Sequence, residues 1–233
     1  MRRMLFAALV LVSMVAISCA SSPPASSPMD AYWASSGTAF PASTHFVRPI
    51  TWKAGQYIVI GSTVKGKRES VSKTLLVRKD KDGWVLEMST VDRKGNETVS
   101  QVCFSGYEEA IVTGTYSQLR MVWMKNRDEK GEIQVISGDE MTFYNTFARS
   151  AYENMIVKID KFIDGGTIAV PAGSFSGTNY IKASVKVMGF NIETETWYHP
   201  AVPLTGVVLS RSTDGKSVSE LLSYGFDGKP ILP

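Results

Sequence analysis

The sequence is poor in the residues that carry most enzymatic and metal chemistry. It has two cysteines, Cys19 and Cys103, and two histidines, His45 and His199, in 233 residues. Neither histidine has a second ligand or a partner base at the spacing of a zinc site or a catalytic triad, and His199 precedes Pro200, which favours an extended backbone and a polar strand end. No apolar run reaches the roughly 20 residues that a helix needs to cross a bilayer. An excess of one charge is also missing, since 25 Lys and Arg face 22 Asp and Glu for a net +3. The basic residues are scattered among acidic ones, which argues against a nucleic-acid footprint. With no nucleophile beside a base, the chain reads as a non-enzyme without a cofactor or metal.

Three short stretches imitate binding motifs and fall short. Gly61-Ser62-Thr63-Val64-Lys65-Gly66-Lys67 follows a phosphate-binding loop until Arg68 replaces the Ser or Thr that holds magnesium, and a strand follows where a helix is needed. Asp80-Lys81-Asp82-Gly83 starts like a calcium loop, but Val91 stands in place of the closing Glu. Both read as hairpin turns. Glu193 and Glu195 alternate on one strand face and read as its solvated side.

What the chain does have begins with an address. Arg2-Arg3, an apolar run over residues 4–17 and the small residues after it form a secretory leader at positions 1–18. Its end, Ala16-Ile17-Ser18-Cys19, resembles the lipobox of bacterial lipoproteins in the relaxed form of spirochaete-like members. The resemblance implies acylation of Cys19, with palmitate among the acyl groups, and two or more acyl chains anchor a protein stably. Removing Arg2 and Arg3 from the 25 basic residues leaves 23 against 22 acidic ones, a mature charge of +1. Cys103 is then the single thiol, so no intramolecular disulfide is available, and its place in a strand pattern suits an inert core residue. Ala20 follows the cysteine where an Asp would resemble an inner-membrane retention signal, so the cell envelope at the outer membrane is the expected location.

Residues 19–43 are rich in Ser, Pro and Ala and predict a flexible tether that reaches roughly 25–30 Å. Tyr32, Trp33 and Phe40 are its exceptions, suited to docking on the body or at the membrane interface. A single domain is expected over residues 44–233. Alternating segments with Gly-containing turns recur from Gln56 to Ile136, as in Trp84-Val85-Leu86-Glu87-Met88. Ser137-Gly138-Asp139-Glu140 has the spacing of a capping box. Tyr144, Phe147, Ala148, Ala151, Tyr152, Met155 and Ile159 then follow at helical spacing, so one amphipathic helix of five or six turns is expected, ending at Gly165-Gly166. Strands return afterwards, with Ile181, Ala183, Val185 and Val187 sharing a face. The expected fold class is α+β: a curved, half-open, barrel-like antiparallel sheet of about ten strands covered by one long amphipathic helix.

Val170-Pro171-Ala172-Gly173-Ser174-Phe175, Trp197-Tyr198-His199-Pro200 and Val202-Pro203-Leu204-Thr205-Gly206-Val207-Val208 resemble a pattern in bacterial envelope proteins that are similar to the Lol-type lipoprotein carriers. That resemblance implies a helix-covered half-barrel whose apolar interior holds acyl chains. Ser176-Gly177 stands where those relatives often carry a Cys. The sequence thus supports two functions. One is a lipid-anchored protein that binds a hydrophobic ligand such as an acyl chain between sheet and helix, lined by Trp84, Met88, Met121, Trp123, Tyr144, Phe147 and Met155. The other is a structural or interaction lipoprotein, without a cavity, that meets an envelope protein partner.

Overall fold

The computed structural model describes residues 29–33, 39–40, 51–107, 118–128, 130–153, 156–187 and 190–233. The leader, Cys19 and His45 lie outside them. Among the described residues twelve strands form one sheet: β1 (Ala39–Phe40), β2 (Tyr57–Val64), β3 (Lys67–Asp80), β4 (Gly83–Asp92), β5 (Glu97–Ser105), β6 (Arg120–Arg127), β7 (Ile133–Ser137), β8 (Ile156–Val170), β9 (Gly173–Val187), β10 (Phe190–Tyr198), β11 (Val207–Ser212) and β12 (Ser217–Gly225). Beside the sheet lie the α-helix α1 (Glu140–Glu153) and a 3-10 turn over Asp30–Trp33. The strand order is β1-β9-β10-β11-β12-β2-β3-β4-β5-β6-β7, and β8 pairs with the other edge of β9. Every pairing is antiparallel except that of the short β1 with β9.

The period-2 alternation of the strands decides which side chains share a face. Leu76, Leu86, Val102, Met124 and Ile136 stand opposite one another across β3 to β7 and form an apolar row, which defines the front face. Their neighbours Leu75, Glu87, Gln101, Lys125 and Val135 form the matching row on the back face. The two near-motifs are hairpin turns, as expected. Lys65 and Gly66 both take positive φ, 49° and 75°, the signature of a two-residue turn whose twist matches the strands. Asp80 pairs with Gly83 across the second turn.

Each face is covered at different places. On the front, Met141 of α1 packs directly on Val102, Met124 and Ile136. At the far end, the tip of the β8–β9 hairpin leans back over β2, β11 and β12, where Val170, Ala172 and Phe175 meet Ile58, Val208 and Leu221. The Ala172 N–H donates to the Leu221 carbonyl at 3.1 Å. Leu221 of β12 points to the front and its neighbour Leu222 to the back, by the ordinary alternation of a strand. On the back, Met29 is buried against Val59, Val71 and Leu222, and Trp33 packs beside it.

The helix expectation is corrected by the structure. The helix spans Glu140–Glu153, and residues 156–166, over which it was expected to continue, lie in β8 instead. Ile156, Val157, Ile159 and Ile163 are β-branched, and long pairing with β9, for example Val157 with Val185 and Ile159 with Ala183, outweighs a spacing that also fitted a helix. Gly165 lies within β8 at a close approach to Thr178 and Trp197 rather than at a helix end. Ser137 is the last residue of β7, opposite Trp123, and the first helical turn is closed by Met141 and Thr142 N–H groups donating to Gly138 and Asp139 carbonyls. Among the described residues the protein is therefore mostly β, a large antiparallel sheet with a short helix, α1, at its edge. It is not an α+β half-barrel under a long amphipathic helix.

Candidate interaction surface

The residues expected to line a ligand space are divided between the faces. Trp84 and Met88 are on the front of β4, and Met121 joins that face because it stands opposite Phe104, itself opposite Trp84. Tyr144 packs against the Met141 cluster, and Phe147 is half-buried on α1. Trp123 is on the back, opposite Cys103, with the Arg78 and Lys125 cations 6.0 and 5.6 Å from its ring centroid. A bulge between Cys103 and Phe104 separates Trp123 from Met121. Met155 lies outside the described residues. The face of Ile181 and Ala183 belongs to β9, whereas α1 meets the sheet through β6 and β7.

The polar candidates are built into the scaffold. Glu195 accepts hydrogen bonds from the Tyr180 hydroxyl at 2.7 Å and the Arg211 guanidinium at 2.6 Å, which hold its carboxyl below the usual range. Glu193 accepts separately from the Thr213 hydroxyl at 3.2 Å, so the two carboxylates do not work as a pair. His199 is 4% exposed at the end of β10, its Nδ1 accepts the Ala201 N–H at 3.2 Å, and its ring meets Phe175 edge-on. Among the described residues no group of His, Cys, Asp or Glu is arranged to hold a metal ion. No helix among them is long and apolar enough to cross a membrane.

Two features that sequence reasoning missed meet at one corner. The first is the rim of the sheet at β7, where no described strand pairs with the outer edge. Ile133 is 46% and Val135 56% exposed there, and Phe143 of the adjacent α1 is 61% exposed. The signal was present in Ile133-Gln134-Val135-Ile136, since a strand with apolar residues on both faces needs cover on both. Only Ile136 receives it, under Met141.

The second is a strap formed by residues 226–233, which crosses the back face. Glu87, 3% exposed, accepts the Ile231 N–H and the Leu232 N–H, each at 2.8 Å, and the Gln101 amide at 3.0 Å. Gln101 also donates to the Leu232 carbonyl at 2.9 Å, and the Lys125 ammonium donates to the Pro233 oxygen at 2.8 Å. Leu232 is 2% exposed. The strap is thus read through its main chain by one register row, Glu87-Gln101-Lys125, and that row runs on to exposed Val135. An isolated Glu in a strand carries no such signal, because the partner amides are 144 and 145 positions away in sequence.

No family model matches the chain, and no curated protein matches it. Among solved structures, the crystal structure of a Bacteroides fragilis protein considered to be an exported protein with a YmcC-like fold is similar. The match covers 77% of this chain and 99% of that one, at 14% identity and a TM-score of 0.36.

Proposed function

We propose that this is an envelope lipoprotein, exported by its leader, acylated at Cys19 and held at the outer membrane, whose β body meets an envelope protein partner through the β7 rim. The leader and the sequence Ala16-Ile17-Ser18-Cys19 support the anchor. The observation that carries the interaction reading is the exposure of Ile133 and Val135, 46% and 56%, on a strand with no described neighbour beyond it. Soluble proteins usually blunt such edges with charge or proline, and an extended partner segment can add to one by main-chain pairing while its side chains cover the apolar pair. An acyl-chain site between helix and sheet has less support, because Met141 fills the contact and Trp84 and Trp123 point to opposite faces.

The reading is tested in cells with a photo-crosslinking residue in place of exposed Gln134. One defined adduct should form and should be lost when Ile133 and Val135 are both changed to Lys, with thermal stability unchanged. No adduct, or an adduct indifferent to the two lysines, refutes the rim as the surface. Separately, Cys19→Ala should move the protein from the membrane to the soluble fraction, and continued membrane association refutes the anchor.

A further inference from the structure

The sequence scatters its basic residues, and the fold gathers some of them at one end. Antiparallel neighbours send alternate hairpin turns to the same end of a sheet, and the turns that follow β2, β4 and β11 lie side by side. Val64 pairs with Ser217, the Lys65 N–H donates to the Lys216 carbonyl at 2.6 Å, and Ser70 pairs with Asp92. Lys65, Lys67, Arg68, Arg93, Lys94 and Lys216 are all exposed there. Three acidic residues stand among these six basic ones, which leaves a local charge of +3 where the whole mature chain carries +1. Each acidic group is occupied within its own turn. Glu69 meets Arg93 at 3.4 Å, Asp92 accepts the Lys94 and Asn96 N–H groups at 2.7 and 2.9 Å, and Asp214 meets Lys216 at 2.9 Å. Lys65 and Lys67 form no ion pair among the described residues. The next turn along, between β6 and β7, carries Asp128 and Glu132 and bounds the basic surface on that side.

We infer that this end of the sheet docks on a membrane surface bearing anionic phospholipid headgroups. The inference rests on the reading of Cys19 as the anchor and names the part of the body that faces the bilayer. The chain that leaves Cys19 reaches the body early and close to the basic turns. Met29 is fully buried against Val59, Val71 and Leu222. Trp33 lies against Gly61, where an added Cβ would come within 2.4 Å of the indole, and the Arg68 guanidinium is 4.7 Å from its ring centroid. Gly61 and Arg68 are four and three residues from Lys65. Ten Cα steps separate Cys19 from Met29 and span at most about 36 Å. The far end of the sheet, about 30 Å beyond Val71 along β3, could face the bilayer only with that linker near full stretch. The anchor therefore holds the basic end close to the headgroups, at high effective concentration. Tyr32, 46% exposed, adds an aromatic ring of the kind that settles at headgroup level. Each Lys or Arg beside an anionic surface contributes about fivefold in partition, so three uncompensated charges contribute on the order of a hundredfold.

The test reads which end of the anchored protein touches lipid. The acylated full chain is reconstituted in vesicles of phosphatidylcholine alone and of phosphatidylcholine with an equal part of phosphatidylglycerol, each with a trace of lipid carrying a nitroxide quencher on its headgroup. A dye is attached through Thr213→Cys at the basic end or through Asp82→Cys at the far end, both exposed positions in a chain whose own Cys103 is buried. In the anionic vesicles the dye at 213 should be quenched and the dye at 82 should not, with little quenching of either in the neutral vesicles. Lys65→Gln, Lys67→Gln and Lys94→Gln together should lower the ratio of docked to undocked protein on the order of a hundredfold. Raising salt from about 0.1 M to about 1 M should release the unaltered chain as well, because the screening length falls from about 10 Å to about 3 Å. Equal quenching in the two kinds of vesicle, equal quenching of the two dyes, or quenching that survives both salt and the three substitutions overturns the inference. A chain that floats with both vesicles while neither dye is quenched overturns the docking surface and leaves the anchor standing. A chain that floats with neither overturns the anchor and the docking surface together.

Discussion

Cys103 shows what a sheet interior does to a thiol. It lies between Val85 and Trp123 on neighbouring strands and is fully buried, and burial, with the nearby carboxylates of Asp80 and Asp82, pushes its pKa from 9.0 up to about 11. The folded state therefore favours the neutral thiol more than the unfolded chain does. That preference contributes stability in full below about pH 9 and loses it as the pH rises towards about 11. Cys103→Ala should be less stable than the parent near neutral pH, by the cost of a small cavity, and the gap in urea midpoint should narrow between pH 9 and 11. A gap that stays constant over that range contradicts the assignment. The position was readable from Val99-Ser100-Gln101-Val102-Cys103-Phe104 as a strand residue with an inert thiol, since alternation is a local property. The role of Gln101, two residues earlier, was not, because its partner is the Leu232 carbonyl.

At the scale of elements, α1 is held by an unusual clasp. The Asn145 side chain accepts the Met121 N–H at 2.8 Å and donates to the Met121 carbonyl at 2.8 Å, so a side-chain amide imitates a neighbouring strand at the start of β6. Asn145→Ala should destabilise the protein by about 1–2 kcal/mol, each bond contributing roughly 0.5–1.5 kcal/mol net, and should loosen α1 without disturbing the β2–β5 meander. Faster amide exchange confined to α1 and β6 would show this. Exchange unchanged in α1 would mean that the packing of Met141 and Tyr144 holds the helix without the clasp. The strands from β2 to β7 were legible because their turns and their period-2 pattern are both local. β8 was misread because Tyr144, Phe147, Ala148, Ala151 and Tyr152 carry a helical period into Met155 and Ile159, and nothing local marks the change at Ile156. What decides it is the pairing of twelve β8 residues with β9, a tertiary effect.

For the whole molecule, the strap ties the end of the described chain to the middle of the sheet through one buried carboxylate. Glu87→Ala would leave the Ile231 and Leu232 amides without their acceptor and release Leu232 from its seat, a loss of about 2–4 kcal/mol. For a chain of this size that corresponds to a fall in Tm of roughly 2–4 °C per kcal/mol. Glu87→Gln should fall between the two, because one oxygen remains, and a Glu87→Ala protein as stable as the parent would show that the strap does not contribute. The candidate surface was only half legible: Ile133-Gln134-Val135-Ile136 showed a strand apolar on both faces, but local pattern does not show which strand lies at the rim. Strand order also sets a timetable. β2 pairs with β12, so Val64 meets Ser217 and Tyr57 meets Gly225 at the centre of the sheet. As the chain emerges from a ribosome or an export pore, the meander from β2 to β7 can assemble early, but its inner margin stays open until β12 arrives. During that interval a half-built sheet displays a raw edge, and a chaperone has a defined strand to guard.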